Sequence, residues 1–156
     1  MSEIHWNRMT AAQLRELAAE DAVVLPVGST EQHGPHLPTG VDDLLVAEVC
    51  RRTAHLAAAH TRVVVAPSVW AGLAEHHVPF GGTVTLSLDT YHALLCDLCR
   101  SVLRAGFSRI LIVNGHAGNM TALNAISNEL TVELGTSMGA DLMRVPRWGD
   151  SQRFGM

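Results

Sequence analysis

Aromatic residues are scarce in this chain, at 4 % of 156 positions, and charged residues make up only 17 %. There is no basic excess: eleven Lys and Arg stand against fifteen Asp and Glu, a net charge of −4. A nucleic-acid surface or a polybasic membrane patch needs clustered cations, so neither partner class is expected. Long apolar runs are also missing. None approaches the ~20 residues of a membrane-spanning helix, and the opening MSEIHWNRMT has no secretory apolar core. These absences read as a soluble cytoplasmic protein. Cysteine is limited to Cys50, Cys96 and Cys99, an odd count that argues against a disulfide framework. The CDLC of 96–99 lies inside a helical pattern, so its thiols share a helix face and are expected to be buried. What the chain does have is 47 % hydrophobic residues, enough for one domain's core over 1–156, and nine histidines. His33, His36, His76, His77 and His116 fall in loop-like stretches; His5, His55, His60 and His92 are scattered.

Hydrophobic periodicity organises the rest. Thr10 to Gln13 has the form of a capping box and predicts a helix to about Ala19, with Leu14 and Leu17 inward. Ala22–Val27, Arg62–Ala66, Arg109–Val113 and Asp141–Val145 read as buried strands, and Thr83–Leu86 as a short one. Leu44 to about Ala59, Thr90–Arg104 and Asn119–Leu134 read as helices. Leu45, Val49 and Ala58 are expected to face inward on the first of these, and Leu123, Ile126 and Leu130 on the last. Asp89 is expected to cap the middle helix and Gly106 to end it. Strands apolar on both faces, alternating with helices, predict a mostly parallel sheet in a three-layer α/β/α sandwich. Ligands bind such sheets at the carboxyl ends of the strands. The loop from Gly28 and the loop NGHAGN of 114–119 therefore open on one edge, although far apart in sequence.

The first loop reads GSTEQHGPHLPTGVDD over residues 28–43. Glu31, His33 and Asp42 from it, with His116 from the second loop, are candidate ligands for a divalent metal. Such a site needs three or four converging N or O donors. In an extended segment Glu31 and His33 point to one side, because strand period is two. Carboxylate and imidazole without thiolate suit zinc, manganese or iron(II). A carboxylate bridging two ions would permit a two-metal site.

The stretches LPVGSTEQHGPHLPTGVD (25–42), HHVPFGGTVTL (76–86) and VNGHAGN (113–119) resemble, in order and spacing, three motifs of the creatininase family of amidohydrolases. The resemblance implies a creatininase-like sandwich with a dinuclear centre, zinc the first expectation. Glu31 and His116 would hold one ion, His33 the other, and Asp42 would bridge them. A small-molecule substrate would lose a C–N bond, of an amide, cyclic amide or formamide, to a metal-activated water. His36 would handle protons or support a ligand, and His77 would line the site; both enter as catalytic candidates. The family also implies a homo-oligomer.

Two departures stand out. The second motif reads FGGT where the family has FPGT. Family members also carry a later H-A-G-E motif, or a glutamate two residues after the histidine of the third motif, to complete the second metal. That position here is Gly118, and nothing after Asp141 resembles H-A-G-E. Three outcomes stay open: a site completed by another subunit, a single ion held by Glu31, Asp42 and His116, or a chain that binds metal or a partner without turnover. A metallophosphatase is disfavoured, since no basic cluster accompanies the candidate ligands in these loops; Arg144 and Arg147 lie late in the chain.

Overall fold

Residues 3–18, 20–138 and 141–145 are described by the computed structural model. Thr10 caps the first helix, α1 (Ala11–Leu17), by a complete capping box with Gln13. Four strands follow: β1 (Ala22–Val27), β2 (Val63–Val65), β3 (Arg109–Asn114) and β4 (Asp141–Val145). Between them run α2 (Val41–Ala57), α3 (Leu88–Arg104) and α4 (Met120–Met138). The sheet is parallel throughout, in the order β2-β1-β3-β4. Pro26 is tolerated in a central strand because the regular β1–β2 ladder stops at Val24; beyond it Val69 N–H donates to the Pro26 carbonyl.

Strand alternation builds two cores. Val23, Leu25 and Val27 face the larger one with Tyr91, Leu95 and Cys99 of α3 and Leu123, Ile126 and Leu130 of α4. Leu14 and Leu17 of α1 pack against it, as their spacing predicts. Val24 faces the smaller core with Val46, Cys50 and Ala54 of α2. The result is the expected three-layer arrangement. All three thiols are buried and free, and burial pushes Cys50 and Cys99 up to about 12, so neither is a nucleophile at neutral pH.

Three local expectations are corrected. Val46, Cys50 and Ala54 form the buried stripe of α2, while Leu44 and Leu45 are 62 % and 61 % exposed. The helix begins at Val41, and residues four apart share a face. Pointing Asp42 at the sheet edge therefore buries 46, 50 and 54. Thr83–Leu86 forms no strand; Val84 and Thr85 make isolated bridges to Thr30 and Gly72. Threonine hydroxyls take over there, Thr83 donating to the His77 carbonyl and Thr85 receiving from Ala74 N–H. Ser87, not Asp89, caps α3, accepting from Thr90 N–H. The tail beyond Val145 lies outside the described residues.

The site edge follows from register. Val27 pairs with Asn114, so β1 and β3 end side by side, and Gly115 N–H donates to the Val27 carbonyl. A Cβ on Gly115 would sit 2.7 Å from the Asp42 carbonyl oxygen and 2.8 Å from Val46 Cβ. Glycine there lets the first turn of α2 close over the end of β3.

Candidate metal centre

Glu31 leaves β1 in a loop pinned by its own N–H to the Thr39 carbonyl. Its side chain is buried, and so is His116. Asp42 reaches them from the first turn of α2. His116 Nδ1 stands 2.9 Å from Asp42 Oδ2 and 3.3 Å from Glu31 Oε1. His33 Nε2 stands 3.2 Å from Asp42 Oδ1, the other oxygen of the same carboxylate. The four predicted residues thus meet, with Asp42 between the two imidazoles.

Which ring nitrogen faces inward is decided by backbone carbonyls. His33 Nδ1 lies 3.0 Å from the Glu31 carbonyl, and His116 Nε2 lies 3.2 Å from the Leu73 carbonyl. A carbonyl only accepts, so each ring spends its N–H there. In a neutral imidazole the remaining nitrogen is a lone pair, and both lone pairs face carboxylate oxygens. Acceptor against acceptor needs a cation or an extra proton between them. With no ion present, the surroundings of His116 favour its protonated form. Burial lowers its pKa, but the hydrogen bond to Asp42 and the charge of Glu31 outweigh burial and raise it.

The donor set fits a divalent ion. Two donors on one tetrahedral ion at ~2.0–2.1 Å stand roughly 3.3 Å apart, which is the His116–Glu31 separation of 3.3 Å. Glu31, Asp42 and His116 offer donor atoms all within 4.8 Å of one another. Glu31 Oε2 is buried with no hydrogen-bond partner, a position that costs stability unless a cation satisfies it.

Asn119 holds these loops in place. It is fully buried. Its amide donates 3.0 Å to the Gly28 carbonyl after β1, and its oxygen accepts 2.9 Å from Leu73 N–H after β2. The same amide lies 3.3 Å from Asn114 Oδ1, which itself accepts from His116 N–H. One side chain thereby joins the three loops that carry the donors.

His77 Nε2 lies 3.7 Å from Glu31 Oε1, at the border of the centre. His36 is exposed and makes no hydrogen bond or ion pair with the other candidates among the described residues. Sequence reading passed over Gln32 and the Leu73 carbonyl. Gln32 contacts His77, 45 positions away, and Leu73 contacts His116, 43 positions away. No local pattern announces either. An apolar cavity of about 490 Å³ lies on the Leu73 and Gly118 side of His116, lined also by Leu88, His92 and Thr121 and by none of the four candidate ligands.

The creatininase family model, described as creatinine amidohydrolase, matches residues 7–154. The chain belongs to the creatininase family. It is 42 % identical over 118 residues to the mycofactocin precursor peptide peptidase of Mycolicibacterium smegmatis, covering 74 % of this chain and 47 % of that one. It is 35 % identical over 115 residues to the 3-dehydro-scyllo-inosose hydrolase of Thermotoga maritima, covering 72 % and 36 %. A crystal structure of creatinine amidohydrolase superposes with a TM-score of 0.85 at 25 % identity, over 95 % of this chain and 59 % of that one. The chain spans about half the length of the curated relatives it matches, or less. Similar solved creatininases include a manganese form and a zinc–zinc form.

Gly118 sits two residues after His116 in a tight turn. A Cβ there would collide with His116 Nε2 and with the Leu73 carbonyl oxygen. The turn is closed to any side chain unless the ring and the backbone both shift. At the other departure from the creatininase pattern, Gly81 has φ +80°, which proline cannot adopt.

Proposed function

We propose that the chain is a metal-dependent amidohydrolase. It would hydrolyse a C–N bond, of an amide, cyclic amide or formamide, in a small polar molecule. The observation that carries this reading is the pair of imidazole lone pairs turned onto the two oxygens of Asp42. Glu31, Asp42 and His116 would hold one ion, leaving a fourth position open, the arrangement of catalytic rather than structural zinc. His33 would hold the second oxygen of Asp42 and hence the angle of that carboxylate. Zinc suits this donor set best, and manganese or iron(II) also fits.

When bound, the ion would supply Lewis-acid polarisation of the scissile carbonyl and a hydroxide at neutral pH. The chain's own part is positional. Asn119 and the Leu73 carbonyl fix His116, and the Glu31 carbonyl fixes His33. His77 supports Glu31 from outside. The two relatives described above are by name a precursor peptide peptidase and a 3-dehydro-scyllo-inosose hydrolase, which supports hydrolysis as the shared chemistry.

A second reading has one specific support. The closed turn at Gly118 denies this chain a carboxylate where other family members place one. A protein that binds metal without turnover would follow from that loss. Metal analysis of protein purified without added metal, followed by hydrolysis assays over a panel of small amides, separates the two. Bound metal with turnover supports the enzyme. Bound metal without turnover supports the second reading, and absence of metal under saturating zinc removes both.

A further inference from the structure

Asp21 and Arg62 stand immediately before β1 and β2, at the amino ends of the strands and so on the edge of the sheet away from the metal centre. A cavity of about 150 Å³ opens there, walled by residues of α1 and by the end of α2. We propose that it binds a small primary alkylamine, the ammonium on Asp21 and the alkyl chain inside. No residue of the metal centre takes part.

Asp21 is the residue that points to a ligand. It lines the cavity, and its side chain is only 6 % exposed. Its Oδ2 is buried and accepts no hydrogen bond. Arg62 Nε lies 3.2 Å from that oxygen, close enough for an ion pair but without the alignment of a hydrogen bond. A buried carboxylate is costly unless hydrogen bonds accompany the counter-charge. The Arg62 side chain is 55 % exposed, so its swing into water costs little. An ammonium is a compact charge with three rotatable donors, and it can align where the planar guanidinium does not.

Charge and shape select the same class. Glu3 and Glu16 line the cavity beside Asp21, against the single cation Arg62, so an anion would meet a net negative mouth. The walls include Ile4, Leu17, Ala54 and Val64, which suit an alkyl chain. An apolar cavity of this size takes a molecule as large as benzene, about six heavy atoms. A chain of about four carbons with its nitrogen therefore fits. A divalent cation does not fit: among the described residues, Asp21, Glu3 and Glu16 form no group of three donors within 4.8 Å. Glu3 is also engaged elsewhere, its Oε1 accepting from Ile4 N–H and His5 N–H.

Titration with n-butylammonium chloride at neutral pH, followed by ¹H–¹⁵N spectra, tests this, with n-butanol and ammonium chloride as controls. One n-butylammonium per chain should bind, on the order of ten-fold tighter than either control, because only it supplies both charge and chain. The amides of Ile4, Leu17, Ala54 and Val64 should shift with it. Asp21→Asn keeps the shape and removes the charge, so n-butylammonium should fall to the level of n-butanol. Arg62→Gln removes the competing cation and should tighten n-butylammonium several-fold. Circular dichroism checks the fold of both variants, and if Asp21→Asn does not fold, the Arg62→Gln comparison decides alone. Binding no tighter than that of n-butanol, or equal binding by Asp21→Asn, overturns the proposal. So does an Arg62→Gln protein that binds n-butylammonium no better than the unaltered chain, which would make Asp21 and Arg62 a structural pair and nothing more.

Discussion

On one flank of Glu31, imidazoles are held by backbone carbonyls; on the other, an imidazole is held by an amide side chain. The difference is one of reversibility. A carbonyl can only accept, so His33 and His116 are committed to presenting lone pairs to Asp42 and Glu31. An amide can donate or accept according to how it is turned, so His77 is not committed. The first flank fixes which ring nitrogen faces the carboxylates, and the second does not. Burial does not follow the same division: His116 is 3 % exposed, whereas the His33 and His77 side chains are 22 % and 25 % exposed.

The largest expected effect breaks the committed flank at its centre. Asp42→Ala removes the carboxylate that both imidazoles face. Zinc affinity should fall by more than about 100-fold, beyond what loss of a supporting residue costs, as read by calorimetry. Full metal content in this variant would show that the ligand assignment is wrong.

Next in size is the staple. Asn119→Ala leaves Leu73 N–H and the Gly28 carbonyl without their partner in a buried place. Stability should drop by about 2–3 kcal/mol in urea unfolding. Metal affinity should fall about 10–100-fold, because Leu73 also orients His116. Weakened metal binding without destabilisation would mean that the loops are held by something else.

The third effect is a pH slope. In chelator-treated protein the His116 pKa is raised above its ordinary 6.5 by Asp42 and Glu31, against burial. The folded state therefore binds the proton more tightly than the unfolded chain. That stabilisation is complete below the unfolded value and fades as pH rises through the folded value. The melting temperature of the metal-free protein should decline across that window, and His116→Gln should flatten the decline. Saturating zinc should reverse the trend, since metal competes with the proton and adds stability by binding the folded state.

The smallest effect belongs to His36. It is exposed and outside the network of both flanks, so His36→Ala should leave zinc content and melting temperature unchanged. A loss of metal comparable to that of Asp42→Ala would draw His36 into the centre and undo the contrast.

Much of the scaffold is legible without coordinates. The strands at 22–27 and 141–145 match their predicted bounds, because apolar runs bracketed by turn residues have few other uses. The three motifs lead to the right family, and parallel-sheet topology puts Glu31 and His116 on one edge. The inward face of α2 differs from the expected one, because Leu45 and Val49 satisfy a helical period as well as Val46 and Cys50 do. Only the demand that Asp42 reach the edge chooses between the two stripes.

The residue types and spacing of the chain, by themselves, determined that two carboxylates and several imidazoles gather at the ends of β1 and β3. The tertiary structure alone decided which nitrogen of each ring looks inward. The reason is physical: a ring's tautomer is set by the partner of its other nitrogen. For His116 and His77 that partner comes from a loop more than forty residues away.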